Sequence, residues 1–569
     1  MTEEPSMKPS YLWLKNYPQE IPWQETFTSQ PLFKLFDTAV AEHPDRICAN
    51  FFGRVQTYRE VGRYINKIAA SLQSVGVAKG TKVGLFLPNC PIFIIYYYAA
   101  LKAGATIVNY NPLYTIEELS FQVRDSNTEL MVSLDLKILF EKIDKLLDLN
   151  VLPRAIICSF QTQLPYFKAK LFQIFKKNEI TFWQSSKNRS RIIDHKILLK
   201  ENKPFLPVRI EPEGDIAVLQ YTGGTTGTPK GAMLTHANLY INTLQLKLWT
   251  ITLGSDQERV LGVLPFFHVF AMTVVMNLGV AKAAEIIMLP RFQIDSVLKL
   301  IHRCRPTIMP AVPTLLNAIL IHKELQKYDL RSLKFCLSGG APLPIELLEK
   351  FLNVTQCDIV EGYGLSEASP VVTCNVIGRI PRAGSIGLPL PSTVVSLRSL
   401  TDPNVEVPQG ERGELCVKGP QVMKGYWNRE DDTANQFTLD KFLRTGDVAV
   451  MDKEGYFKIV DRIKDLIICS GYKVYPRQIE EAIYQHPEVE EVTVIGIPDA
   501  YRGEAPKAFI KLKSGATVTK DKFLSFLEAK LSRIEMPTEI EFRDTLPKTM
   551  IGKLSKKELR LEEIARLTK

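Results

Sequence analysis

Every residue from Thr222 to Thr228 is glycine or threonine, and Lys230 follows after Pro229. Such a run can hold phosphate. Glycines let backbone N–H groups approach phosphate oxygens, hydroxyls add donors, and the lysine brings a point charge. The apolar stretch Ile216, Ala217, Val218, Leu219 just before it reads as a strand. A Walker loop needs Gly-x4-Gly-Lys followed by Ser or Thr. Pro229 before the lysine and Gly231 after it exclude that motif. A mere flexible linker is the competing reading, and it fits poorly with a loop placed directly after a strand.

Further clusters follow. Glu361-Gly362-Tyr363-Gly364-Leu365-Ser366-Glu367 joins two glycines, a ring, a hydroxyl and two carboxylates. Thr445-Gly446-Asp447 is a short turn with a carboxylate, and Asp461-Arg462-Ile463-Lys464 is a charged stretch. Ser338-Gly339-Gly340-Ala341 follows a strand-like run at 333–337. Its small residues would let a flat ring lie against backbone, and a tight strand-to-helix turn explains them equally well. His268 comes after Pro265-Phe266-Phe267, and a lone histidine among aromatics is more often a packed core residue. Pro547 and Gly552 frame a tight loop ahead of Lys553, with Lys548 as the rival cation. Taken singly, each of these charges reads as a solvated surface group.

These residues need a scaffold. Short apolar runs at 82–87, 105–108, 130–133, 154–157 and 216–220 alternate with helix-like segments. That alternation predicts βαβ units and a parallel sheet with helices on both faces. Between 394 and 417, short strands broken by Pro-Asn, Pro-Gln-Gly and Arg-Gly turns predict a small β-rich subdomain. Beyond Asp461 the pattern predicts a helix from Pro476, strands at 491–495 and 507–512, and a helix at 520–531. Together they make a small α+β domain of about 100 residues.

At the Thr222–Thr228 loop the chain resembles the adenylate-forming superfamily, which contains acyl-CoA synthetases, luciferases and nonribosomal peptide adenylation domains. The resemblance continues in order from about Tyr11 to Arg566. It rests on Leu264-Pro265-Phe266-Phe267-His268-Val269-Phe270-Ala271, on the stretch from Glu361 to Glu367, on Gly413-Glu414-Leu415-Cys416-Val417-Lys418-Gly419-Pro420-Gln421-Val422-Met423, and on Ser470-Gly471-Tyr472-Lys473-Val474-Tyr475-Pro476. Within the superfamily, these stretches are similar to the bacterial long-chain fatty-acid–CoA ligases.

The resemblance implies roles. ATP would meet Thr222, Gly223, Gly224, Thr225, Thr226, Gly227 and Lys230. Adenine would pack on Gly339, Gly340 and Ala341 and stack on Tyr363, within the segment carrying Glu361, Gly362 and Gly364. Ser366, where the family usually has threonine, would contact the α-phosphate. Glu367 and Thr225 would hold Mg2+, an ion suited to one carboxylate plus phosphate oxygens and water. Asp447 would accept hydrogen bonds from both ribose hydroxyls, with Arg462 beside it. Lys553 would bridge the substrate carboxylate and the α-phosphate, offsetting the repulsion between two anions. His268 would shape the place where adenylate and acyl chain meet; the apolar run at 269–280 beyond it would line an acyl tunnel or simply be core. Lys464 would be the pivot of a rotating C-terminal domain, and Gly471 would lie along the tunnel for coenzyme A. Two departures stand out. Asp440-Lys441-Phe442 replaces the usual approach to the Thr445 turn, and Ile534-Glu535-Met536-Pro537 replaces a Tyr-Lys pair.

Composition bounds this reading. The chain has 569 residues, enough for one large domain and one or two smaller ones at roughly 100–200 residues each. With 45% hydrophobic and 23% charged residues it is an ordinary globular sequence. The net charge of +9 suits a protein that handles anions, or one that is merely soluble. No basic stripe with interleaved aromatics points to nucleic acid. The nine cysteines are scattered and odd in number, without a CxxC pair, which argues against disulfides or zinc and fits the cytosol. Met1 to Pro9 is polar and partly acidic, unlike a signal peptide. The apolar stretches 92–101 and 269–281 fall short of the roughly 20 residues a membrane span needs and are expected to be buried core helices.

Residues 164–177 set Phe167, Leu171, Ile174 and Phe175 at helical spacing, with Lys168, Lys170, Lys176 and Lys177 on or beside the other face. A basic amphipathic helix can lie on an anionic membrane. A surface helix packed on its own domain explains the pattern too.

The expected fold is thus α/β. An N-terminal domain over 1–460 holds layered sheets and a β-rich subdomain at about 390–460. A hinge at 461–464 and a C-terminal α+β domain over 465–569 complete it. The expected reaction joins a long-chain fatty acid to coenzyme A through acyl-AMP, with ATP and Mg2+. The rivals are a medium-chain or aryl acid, loading of a carrier protein, and a binding protein without catalysis. Expected partners are the fatty acid, an anionic membrane on its cytoplasmic inner face, and a second copy of the chain; nucleic acid is not expected.

Overall fold

The computed structural model describes residues 11–200, 203–222, 228–251, 257–380, 382, 384–499, 501–549 and 554–567. A seven-stranded sheet has the order Ile192–Asp194, Arg154–Cys158, Leu130–Leu134, Lys82–Leu85, Thr106–Asn109, β1 (Ile216–Thr222) and β2 (Lys230–Thr235). Its pairings are parallel except the last, where β1 and β2 form an antiparallel hairpin. The five apolar runs singled out above are five of these strands, displaced at their ends by a residue or two. Strands buried on both faces carry near-continuous apolar runs, which is why they are visible in the sequence.

Helix α1 (Pro91–Lys102) starts with proline at its first turn and is buried from Pro91 to Leu101. It is apolar all round, as a core helix must be. The second apolar stretch is also buried, but it is not a plain α-helix. A π-turn at Met272–Asn277 separates Val269–Ala271 from Leu278–Ala281. Asn277, the polar residue inside it, accepts a hydrogen bond from the Tyr98 hydroxyl of α1 at 2.8 Å. Among the described residues no helix is long and apolar enough to cross a membrane.

Helix α2 (Tyr166–Phe175) is the opposite case: none of its residues is buried. Ala169 and Phe172 turn toward the core, Phe172 lying 5.2 Å from the Phe160 ring. Tyr166, Phe167, Leu171, Ile174 and Phe175 face outward, and nearby Phe182 is exposed as well.

The second large sheet has nine strands, in the order Leu388–Pro389, Val371–Cys374, β3 (Asp358–Gly364), Phe335–Ser338, Ile308–Ala311, Arg259–Gly262, Glu285–Met288, Ile47–Phe51 and Arg54–Thr57. The inner strands are parallel and both edges antiparallel. A four-stranded antiparallel sheet follows: Val394–Arg398, Gly413–Lys418, β4 (Leu443–Met451) and β5 (Phe457–Arg462). One continuous core from Trp13 to Ile459 unites these parts.

The remaining chain has a core of its own, with Ile479, Ile483, Val494, Ile510 and Phe523 among its members. Its strands Ile467–Cys469, Tyr472–Val474, Val489–Asp499, Gly503–Leu512 and Glu539–Phe542 carry the helices α3 (Pro476–Tyr484), Lys520–Glu528 and Lys556–Leu567. Val448, Val460 and Tyr475 form a small apolar cluster between the two bodies. Around it the seam is charged. The Arg477 N–H donates to Asp461 Oδ2 at 2.8 Å, and Lys458 lies 3.5 Å from Glu481. Arg560 pairs with Asp465 at 3.0 Å.

Candidate active site

The phosphate-loop residues Gly223, Gly224, Thr225, Thr226 and Gly227 lie outside the described residues, as does Lys553. Their anchors are described. Thr222 ends β1 and pairs across the hairpin with Lys230, which starts β2. The two residues that flank the 223–227 segment, Thr222 and Lys230, are therefore held side by side at the sheet edge. The Tyr221 hydroxyl donates to Asp125 Oδ2 at 2.5 Å, and Arg429 holds the other oxygen at 3.1 Å. Lys230 pairs with Asp432, and its Nζ lies 5.3 Å from the centre of the Tyr426 ring.

A second group converges on Asp447 within β4 and Arg462 at the end of β5. Asp447 is 5% exposed. Its Oδ2 accepts the Tyr363 hydroxyl at 2.6 Å, and its Oδ1 accepts Arg462 Nε at 3.0 Å. Asp447 and Arg462 face each other across the ladder, so sheet register sets this pair. Burial and the adjacent carboxylate hold the Tyr363 phenol well above its ordinary pKa, and Asp447 raises that of Arg462. Tyr363 thus stays a donor and Arg462 a cation.

Ser366 and Glu367 sit in a single turn just past β3. Glu367 Oε1 accepts the Tyr426 hydroxyl at 2.8 Å, and among the described residues its Oε2 accepts no hydrogen bond. One carboxylate with a spare oxygen, whose partner Tyr426 lies against Lys230, would suit a magnesium ion. A Cβ at Gly364 would collide with the carbonyl oxygen of Pro370, so only glycine allows the chain to pass here.

The other expected site residues divide. Gly339 follows the strand Phe335–Ser338, its N–H bonded to Ala311 O at 3.1 Å, while Gly340 is exposed and Ala341 half-buried. A Cβ on Gly362 would press on Leu337 at 3.0 Å. Glu361 is buried; its Oε1 accepts the Leu343 N–H at 3.3 Å, and burial pushes its carboxyl up to about 7 despite Arg477 across the seam. Its carboxylate therefore serves the backbone at Leu343 and faces the C-terminal domain. His268 caps a helix start, its Nδ1 accepting the Phe270 N–H at 3.3 Å. Lys464 lies in the turn Ile463–Asp465. Gly471 sits at a tip with φ +83°, where an added Cβ would touch nothing within 4 Å. In this arrangement glycine is required there by backbone conformation. Lys548, the rival of Lys553, is paired with Glu491.

Both sequence departures have local accounts. Asp440 is bound by Arg398 at 2.7 Å and by the Thr438 hydroxyl at 2.6 Å, while Arg398 also lies 4.8 Å from the Phe442 ring. Glu535 accepts the Ser532 N–H and hydroxyl, and Ile534 packs on the small domain's core.

The pattern described as AMP-binding enzyme matches residues 36–427, and that of the AMP-binding enzyme C-terminal domain matches 478–553. The chain belongs to the AMP-binding enzyme family. It is 43% identical to the long-chain-fatty-acid–CoA ligase of Bacillus subtilis over 560 residues, 98% of each protein. It is 36% identical to the long-chain-fatty-acid–CoA ligase of Escherichia coli, over 97% of this chain and 98% of that protein. Among solved structures, ATP-bound MatB from Rhodopseudomonas palustris superposes with a TM-score of 0.81 at 28% identity, covering 94% of this chain and 99% of that one. Tyr426, Asp432 and Asp125 escaped the sequence reading because their partners Glu367, Lys230 and Tyr221 lie 59, 202 and 96 positions away in the chain.

Proposed function

We propose that this chain is an ATP-dependent acid–thiol ligase that converts a long-chain fatty acid to acyl-AMP with release of pyrophosphate, then transfers the acyl group to coenzyme A. The observation that carries this is a chain of contacts: Asp447 to Tyr363 on one side, Glu367 to Tyr426 to Lys230 on the other. Tyr363, which holds the proposed ribose acceptor Asp447, precedes the proposed metal carboxylate Glu367 by four residues, and this spacing supports the reading. Asp447, fixed by Tyr363 and Arg462, accepts the ribose hydroxyls. Lys230 and the loop from Thr222 hold the triphosphate. Glu367, with Thr225, would hold Mg2+, which supplies charge neutralisation on the leaving pyrophosphate. Lys553 orients the fatty carboxylate against the α-phosphorus, and one of its oxygens attacks as the bond to pyrophosphate breaks. The C-terminal domain then turns about Lys464, and the thiol of coenzyme A, entering past Gly471, displaces AMP. His268 shapes the junction of adenylate and acyl chain.

The experiment is release of AMP and pyrophosphate from ATP with acetate, octanoate, palmitate, oleate and an aryl acid, with and without coenzyme A. AMP formation that requires coenzyme A and peaks with palmitate or oleate is expected. Pyrophosphate release indifferent to coenzyme A overturns the thiol acceptor, and a peak at an aryl acid overturns the substrate.

The same reading places the enzyme in the cytoplasm, in contact with the inner face of an anionic membrane and as a homodimer. The exposed rings of α2 with Lys168, Lys170, Lys176 and Lys177 support the membrane contact, because apolar burial and lysine attraction add there. Binding to vesicles containing phosphatidylglycerol should fall when Lys176 and Lys177 are both changed to Glu; unchanged binding overturns the contact. Sedimentation of the purified chain checks the dimer.

A further inference from the structure

One segment, residues 423–433, crosses the phosphate-loop hairpin and ties its parts together. The Met423 N–H donates to Glu367 O at 2.8 Å. Lys424 and Gly425 exchange backbone hydrogen bonds with Met233, and Tyr426 bridges Ala232 in antiparallel fashion. The Trp427 N–H donates to Gly231 O at 2.8 Å. The strap is thus an extra strand edge laid on β2, and it reaches Glu367 by both backbone and side chain.

Tyr426 is the residue where these ties meet. It is 6% exposed, its N–H donates to Thr433 Oγ1 at 2.9 Å, and its ring lies under Lys230. Its hydroxyl donates to Glu367 Oε1 at 2.8 Å. A carboxylate with one oxygen fixed in this way offers the other in a single orientation. Outer groups that orient a metal-binding carboxylate commonly change affinity for the ion when removed.

We propose that Tyr426 is a positioning residue that sets the affinity of Glu367 for its divalent cation and couples that affinity to the phosphate-loop lysine. The proposal rests on Glu367 being the metal carboxylate of the ligase read above. It differs from a purely structural role in one respect. Loss of the hydroxyl should shift the metal response far more than it lowers the melting temperature measured without metal.

The test uses the full chain and its Tyr426→Phe variant, with MgCl2 or MnCl2 as the probe. The rise in melting temperature caused by ATP is followed as metal is titrated, and bound Mn2+ is counted by electron paramagnetic resonance. The expected result is a metal midpoint raised about 10–100-fold in Tyr426→Phe. In a Glu367→Gln background the same substitution should add nothing. Thr433→Ala, which removes the acceptor of the Tyr426 N–H, serves as a second variant and should move the midpoint in the same direction by less. Midpoints within about twofold of wild type in both variants overturn the proposal while the ligase reading stands. A wild-type protein whose ATP response ignores metal overturns the Glu367 assignment and this proposal together.

Discussion

The nucleotide face and the seam between the two bodies are built on opposite plans. At the nucleotide face, polar side chains are satisfied by close partners within one core: Tyr363 and Arg462 on Asp447, Tyr426 on Glu367, Arg429 and Tyr221 on Asp125. At the seam, a small apolar cluster is ringed by charges, and two buried carboxyls are displaced from their ordinary state. Burial raises Glu361 to about 7 and Asp461 to about 6, in spite of Arg477 and Lys556 nearby. A satisfied network fixes geometry, whereas an interface poor in apolar area and rich in charge can be released at little cost. One region holds its geometry and the other can part at little cost, which suits the proposed two-step reaction in which the C-terminal domain would turn.

The largest effect should come from the fixed side. Gly364→Ala drives a Cβ into the Pro370 carbonyl and should cost several kcal/mol, enough to leave little folded protein by circular dichroism. A well-folded, active variant would show that this backbone yields. Next is Lys553→Ala, expected to slow pyrophosphate release by about 10³-fold while ATP binding by calorimetry persists, the scale of losing one charge-stabilising group. An unchanged rate would return the role to another cation.

The releasable side predicts a pH effect. The folded pKa of Glu361 lies above its ordinary value, so its contribution is full below about 4.5 and is lost as pH rises through about 7. At 1.36 kcal/mol per unit, the loss is at most about 3 kcal/mol. Glu361→Gln should remove that slope, so its melting temperature should pull ahead of wild type between pH 4.5 and 7 and stay ahead above. Asp461 should leave a smaller slope of the same sign over about pH 4 to 6. Parallel melting curves across this range would remove Glu361 from the seam's energetics. The smallest effect is expected of Lys458→Ala, whose ion pair with Glu481 is half exposed and should be worth under about 1 kcal/mol.

Much of the fold was legible in the chain. The buried parallel strands announced themselves as apolar runs, and Pro476 marked the start of α3 at its first turn. The 269–281 stretch was legible as core but not as a π-turn, because its shape is imposed by partners such as Tyr98 and Ser369. Helix α2 was ambiguous for a related reason. Its apolar stripe looks the same whether it meets a core or faces outward, and only the fold shows that just Ala169 and Phe172 turn inward.

The candidate site divides along the same line. By itself the sequence singled out the loop from Thr222 to Lys230, whose chemistry is written in neighbouring residues, and it offered the motif from Glu361 to Glu367, the Asp447 turn and the Gly552-Lys553 pair as candidates through family resemblance. Only the tertiary structure decided that Glu361 serves Leu343 and the seam, that Lys548 is paired with Glu491, and that Tyr426, 59 positions away in the chain, holds Glu367. Local spacing fixes what a residue can do, but a hydrogen bond between distant segments depends on sheet register and packing that no short stretch of sequence contains.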